Sequence, residues 1–372
     1  METREVKSSS PSSISVGQLA FFILQTQIGV GILSLPFAVF NVSKGDAWIS
    51  ILLAGFLAQV MIVVIWVLCR RFPGATFFEF IPTILGKIGG TILSFTYIVY
   101  FIAVASLILT LSTNIIKSWA LPTTPSWIIM VIIIICSIYL VKENLRIIAR
   151  YHMLISFFFI ILIFVFLGVL EYLNVLYIMP VGSTGIVSIL KGSKEAIIAM
   201  LGFELLLVLY PLTQGKDKKQ VKAVSLANLG VTILYTFITI STLMFFSPEE
   251  LKFVPEPVLY LLKALEYTVL ERLDLIIISI WIITVSTSFM SYLYIASYGM
   301  TKILHLKHHR KVVPFLGAIC LGISLIPGDE ETKIEAWSKY MGHAGLVFAI
   351  IIPSLLLLLA ILFRIKDRGE KS

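Results

Sequence analysis

Long apolar runs, separated by short charged connections, constrain this chain more than any other feature. A helix needs about 20 consecutive apolar residues to cross a bilayer. Ten candidate spans are read: 16–40, 47–69, 84–116, 126–141, 147–170, 195–212, 221–247, 270–299, 312–326 and 341–363. The fourth and ninth are short, and the third must tilt or project beyond the membrane. Composition agrees: 58% of the 372 residues are hydrophobic and 13% charged, with a mean hydropathy of +0.99. A soluble domain needs more polar surface than that. The expected fold is an all-α, multi-pass integral membrane protein, a single membrane domain over 1–372 in contact with the lipid bilayer.

Lys and Arg alternate in density from one connection to the next. Twenty fall on one side, including Arg70, Arg71, Arg146, Arg150, Lys216 and Arg310, and nine on the other, including Lys44, Lys117 and Lys333. The positive-inside rule then expects both termini in the cytoplasm, in agreement with an even number of spans. The first fifteen residues are polar and lack an apolar signal core, so the first helix is expected to direct insertion. Cys69, Cys136 and Cys320 are scattered in or beside spans and suggest neither a disulfide framework nor a metal site. The cluster HLKHHRK (305–311) sits where positive-inside charge belongs, with no carboxylate near, and is read as charge rather than as a metal ligand set. The net charge of +8 has the same origin and does not imply nucleic acid. Of the acidic loops, PEPVLYLLKALEY (255–267) has apolar residues at helical spacing, which suits an interfacial helix or a plain loop.

Two segments break the pattern of an ordinary span. QTQIGVGILSLPF (25–37) places two glutamines, two glycines and a proline inside the first apolar run, and AIIAMLGFELLLVLYPLTQG (196–215) places Gly202, Glu204 and Pro211 inside the sixth. Glycine loosens a helix, proline removes a backbone donor, and amides in hydrocarbon are costly without partners. Spans one and six each open one of two five-helix halves, 16–180 and 181–363, flanked by tails 1–15 and 364–372. Interrupted helices at matching places in two halves point to a transporter architecture of inverted repeats, with broken helices 1 and 6 meeting at the bilayer midplane. Close helix packing at Gly29, Gly31 and Gly202 is the alternative for either glycine site taken alone.

GVGILSLP (29–36) resembles the first-helix pattern of the amino acid–polyamine–organocation transporters. RFPGATFFEFIPTILGKIGG (71–90), GFELLLVLYP (202–211) and ERLDLIIISIW (271–281) resemble the B-subunit family of spore nutrient-germinant receptors (the GerAB/GerKB type) over nearly the whole chain. The resemblance implies ten helices in a LeuT-like inverted-repeat fold, in the inner membrane of a bacterial spore. It also implies assembly with a receptor A subunit and a lipoprotein C subunit, and recognition of a small-molecule germinant, commonly an amino acid such as L-alanine.

In such a fold the unwound part of span one supplies Gln27, Ile28, Gly29, Val30 and Gly31, whose free N–H groups would receive a carboxylate. Span six supplies Gly202, Phe203 and Glu204, with Phe203 as a wall or lid. Span three offers Tyr97, Tyr100 and Phe101, and span eight offers Thr284, Thr287 and Ser288. Ordinary packing competes for each aromatic, and bonding to neighbouring helix backbone competes for each hydroxyl. Glu204 is the only carboxylate deep in a span. It suits binding of a ligand ammonium, proton coupling, or an internal hydrogen bond that locks span six, and the last is the reading adopted. No metal-ligand cluster, phosphate loop or nucleophile–base motif is present, so no enzyme, cofactor or metal is expected. A ligand sensor, a secondary amino-acid transporter and a structural subunit with a vestigial cavity remain as function classes. The absence of lysine from 147–170 weakens one mode of proton coupling.

Overall fold

The computed structural model describes residues 13–264 and 273–366. The expected charges at Arg4, Lys7, Glu266, Arg272, Arg368 and Lys371, and the ends of two motifs, lie outside the described residues. Those residues form fifteen α-helices. They are α1 (Val16–Gln27), α2 (Gly31–Ser43), α3 (Ala47–Arg70), α4 (Phe77–Trp119), α5 (Ser126–Val141), α6 (Leu145–Ile155), α7 (Phe158–Leu167) and α8 (Ile186–Ala199). Then follow α9 (Leu206–Leu209), α10 (Asp217–Phe245), α11 (Pro257–Ala264), α12 (Leu273–Ile303), α13 (Val312–Leu325), α14 (Glu331–Leu346) and α15 (Ile352–Leu362).

Among the described residues, five stretches are long and apolar enough to cross a membrane: Gly31–Arg70, Phe77–Trp119, Asp217–Phe245, Leu273–Ile303 and Glu331–Leu362. Large apolar side chains such as Phe56, Ile92, Ile135 and Leu226 project outward from the bundle. That surface suits hydrocarbon. The chain is a multi-pass membrane protein.

Not every expected span is one unbroken helix. The first is divided between α1 and α2 and the sixth between α8 and α9. The expected fifth span is divided as well. At Ser156 and Phe157 the backbone tightens: the Phe157 N–H donates to the Leu154 carbonyl and the Phe159 N–H to the Ser156 carbonyl, each three residues back. The expected third span starts earlier and bends. Thr76 and Glu79 form a capping box, and Gly86 turns the chain with φ +75°. Beyond the bend Gly90 meets Pro82 so closely that a Cβ there would lie 2.5 Å from the Pro82 Cα.

α12 is the centre of the bundle. It packs along α4 and touches α1, α5, α11 and α13. Almost every side chain from Thr284 to Ser297 is buried, so the helix has no lipid face in that stretch. Of the stretch expected as an interfacial helix or loop, Pro257–Ala264 form α11, whose Val258, Leu259, Leu261 and Leu262 are fully buried. It packs on α2 and α12, because its apolar face finds protein there rather than lipid. Asp46, between α2 and α3, accepts from the Gly182 N–H (2.6 Å), the Thr184 N–H (3.1 Å) and the Thr184 hydroxyl (2.6 Å). This clasp fixes the loop that leads into α8. Before α1, Ile14 pairs with the segment after α9: its N–H donates to the Leu212 carbonyl (3.0 Å) and its carbonyl accepts from the Gln214 N–H (2.8 Å).

Candidate functional site

Helix α1 ends because Ile28 adopts φ −89°, ψ 78°, and the helix resumes only at Gly31. An interrupted helix leaves orphan carbonyls on one side and orphan N–H groups on the other. Side chains cover the carbonyls. Ser288 Oγ donates to the Gln25 carbonyl (2.9 Å) and the Tyr235 hydroxyl to the Gln27 carbonyl (3.0 Å). On the other side, Val30 stands at the N-cap of α2 and makes no side-chain capping bond, so among the described residues the first turn is uncapped by it. Those N–H groups carry the positive end of the helix dipole.

The second interruption follows α8. Gly202 has φ +130°, and residues 203–205 form a short 3₁₀ turn before α9. The two breaks touch backbone to backbone: a Cβ on Gly202 would lie 2.9 Å from the Gln27 nitrogen and from the Thr26 carbonyl carbon. Only glycine fits both that approach and that φ. Gln27 joins the breaks, its Nε2 donating to the Met200 carbonyl (3.0 Å) and to Asn228 Oδ1 (3.3 Å). Asn228 in turn donates to the Gly55 carbonyl (3.0 Å), which ties the junction to α3 and α10. The Glu204 carboxylate is buried and bonded: Gly202 N–H donates to one oxygen (2.7 Å) and the Tyr292 hydroxyl to the other (2.8 Å). It therefore links the span-six break both to itself and to α12.

Beside the junction lies a cavity of about 230 Å³, far more than the space one water requires. Its lining includes the polar residues Thr26, Gln27, Ser34, Glu195, Tyr292 and Ser338, along with Gly29, Val30 and Gly31. Val104, Leu107, Ile108 and Leu111 of α4 supply an apolar wall. Gln27 Oε1, although buried, accepts from no donor among the described residues. An acceptor left so costs about 1–3 kcal/mol. Gly31 also serves packing, since a Cβ there would lie 2.9 Å from the Ala199 Cβ of α8.

Of the residues singled out from sequence, Gln27, Gly29, Val30 and Gly31 border this cavity. Gly202, Phe203 and Glu204 lie buried behind it at the junction, and Phe203 forms part of the packed core. Tyr97, Tyr100 and Phe101 belong to an aromatic cluster in which Tyr100 stacks on Phe348 and Tyr97 meets it edge-on, and the Tyr97 hydroxyl donates to the Phe348 carbonyl (2.8 Å). Ile28 and Thr284 border a separate, apolar cavity of about 30 Å³ with Trp281. Thr287 and Ser288 bond Gln25, through its side-chain oxygen (3.0 Å) and its carbonyl. That pair belongs to a buried network in which Gln25 Nε2 donates to Ser156 (3.1 Å) and His152 Nε2 lies 2.8 Å from Ser291 Oγ. His152 also stacks on Phe22, with ring centroids 4.5 Å apart.

Tyr292, Ser291, His152, Asn228 and Tyr235 were not reached by sequence reasoning, whereas Gln25 was marked as a buried amide in need of a partner. The sequence does carry a trace of two of the five. Thr284, Thr287, Ser288, Ser291 and Tyr292 follow the i, i+3, i+4, i+7, i+8 spacing of one helix face, and the stripe extends past Ser288. The others are brought in by helices distant in sequence. Among the described residues no group of three or more His, Cys, Asp or Glu side chains is placed to hold a metal ion.

The family described as "Spore germination protein" matches residues 13–333. Spore germination protein GerQB of Bacillus cereus is 29% identical over 342 residues, covering 91% of this chain and 93% of that protein. Spore germination protein YndE of Bacillus subtilis (strain 168) is 28% identical over 367 residues, covering 98% and 99%. Among solved structures, a Na+-coupled sialic acid symporter in its substrate-bound outward-open state superposes with a TM-score of 0.69 at 11% identity, covering 91% of this chain and 78% of the symporter. MHP1, a nucleobase-cation-symport-1 family transporter in a closed conformation, gives 0.59 at 11%, covering 96% and 81%. Both are LeuT-fold transporters, and at that identity the likeness concerns the fold alone.

Proposed function

The chain belongs to the spore germination protein family, and from that premise we propose that it is the membrane subunit of a nutrient-germinant receptor, binding a small germinant beside its two helix breaks. The observation that carries this reading is the cavity of about 230 Å³ bordered by the uncapped start of α2 and by Gln27. Uncapped N–H groups suit a carboxylate, and the free Gln27 Oε1 suits a donor such as an ammonium. An amino acid such as L-alanine has both. In this reading ten spans form two inverted five-helix repeats, both termini are cytoplasmic, and the chain sits in the spore inner membrane. It assembles there with an A subunit and a lipoprotein C subunit.

A second reading, a working secondary amino-acid transporter, draws on the fold, which two cation-coupled transporters share. One experiment separates them. The purified chain, alone and with its partner subunits, is screened against a panel of amino acids by thermal shift and by uptake into liposomes. Binding without uptake is the expected result. Accumulation against a gradient would favour the transporter, and no binding in any combination would refute a ligand site in this cavity.

A further inference from the structure

Glu195 stands apart from the other residues around the cavity. Apart from the Tyr292 phenol, which is engaged with Glu204, it is the only ionisable side chain in the lining. It is exposed at the surface of the bundle beside the cavity. Glu195 and Ala199 lie four residues apart on one face of α8, and Ala199 is the residue that meets Gly31. The Glu195 Cα thus stands about 6 Å along the helix axis from Ala199, on the side away from the junction. Side chains lean toward the N-terminus of their own helix, which carries this carboxylate further from the junction, to the mouth.

Two of the neighbouring cations are held by other groups; a third, Lys191, is exposed four residues before Glu195 on α8. Lys194 Nζ lies 3.1 Å from His343 Nε2, and Lys339 pairs with Glu335 at 2.8 Å. Glu195 makes no hydrogen bond among the described residues, although Lys339 lies within its field. A carboxylate beside low-dielectric walls focuses its field into the opening.

We infer that Glu195 is a charge-selecting residue: it draws ammonium-bearing solutes into the cavity mouth and disfavours anions, before the deeper groups sort their side chains. The inference rests on the reading that the cavity admits a solute, and it assigns entry selectivity to a residue outside the helix breaks.

The test uses the full chain in membranes, with Cys136→Ser to remove the exposed thiol, and leaves the buried Cys69 and Cys320 in place. Ser34→Cys then puts a reporter thiol in the cavity lining. Its labelling rates are measured with a cationic trimethylammonium methanethiosulfonate, an anionic sulfonate methanethiosulfonate and the neutral methyl reagent. Removing one charge several ångströms away changes the cation and anion rates in opposite directions. Glu195→Gln is therefore expected to lower the cation-to-anion rate ratio about 5- to 10-fold at low salt, with less effect at high salt. Glu195→Asp should retain most of the ratio, and the neutral rate should not move. An unchanged ratio with normal labelling would overturn the role of Glu195 while leaving the ligand site intact. No labelling by any reagent would overturn the open cavity and the inference with it.

Discussion

Replacing Gly202 by alanine isolates the contact on which the junction of the two breaks depends. Two costs arise. A non-glycine residue at φ +130° carries backbone strain of about 1–3 kcal/mol. The new methyl would also lie 2.9 Å from backbone atoms of Thr26 and Gln27, which cannot rotate away, and overpacking of this kind costs about 1–3 kcal/mol. The expected loss is about 2–6 kcal/mol. Gly185→Ala supplies the control. Gly185 has φ +77° but no neighbour within 4 Å of its would-be Cβ, so it carries the strain without the clash. Unfolding of both variants in detergent, followed through the six tryptophans, measures the difference. Gly202→Ala should be the less stable by about 1–3 kcal/mol, and germination should lose sensitivity with it. If the two variants unfold alike, the breaks are not held backbone on backbone, and the account of the junction fails.

Further outcomes follow from the same contacts. Glu204→Gln should be tolerated better than Glu204→Ala: an amide can accept from the Gly202 N–H and donate to the Tyr292 oxygen, whereas alanine strands both at about 1–3 kcal/mol each, as unfolding midpoints and protein levels would show. Equal loss in both variants would mean that the charge itself is needed. Gly31→Ala should destabilise the α2–α8 contact and blunt the germinant response, and adding Ala199→Gly should restore both, read by thermal midpoint and dose–response. Hydrogen bonds from Lys117 and Ser126 hold the Asp329 carboxyl below its ordinary value, so its contribution is present above a pH of about 3.9 and lost as pH falls through the lower folded value. Because Asp329 is well exposed, Asp329→Asn should cost no more than about 1 kcal/mol at neutral pH, and the difference from the parent should vanish in acid.

The sequence made some parts of this molecule legible and hid others for physical reasons. Apolar runs announce membrane helices because hydrocarbon tolerates little else, and glycines and amides within such a run mark where backbone must leave the helix, whereas Pro36 falls inside α2. Gly29, Gly31 and Gly202 were readable on that ground. Gly86 was not distinguished from its neighbours Gly89 and Gly90, since a bend depends on φ, which composition does not record. The division at Ser156 involves a tightened turn with no proline or glycine to mark it. Partners of Glu204 and Gln27 were also hidden. Tyr292 lies 88 residues from Glu204 and Asn228 lies 201 from Gln27, so pairing them requires the packed bundle.

The short pairing of Ile14 with the segment after α9 bears on mechanics. Two backbone hydrogen bonds, and a third from Gln214 Nε2 to the Ser13 hydroxyl at 2.6 Å, strap the entry to α1 onto the exit from α9. Each such bond is worth about 0.5–1.5 kcal/mol, so sliding one interrupted segment past the other at this end means breaking the strap. While it holds, the two segments share their rigid-body freedom. A pull or twist applied to the chain ahead of Ser13 is then delivered to both segments at once, and through Gln27 and Gly202 to the wall of the cavity.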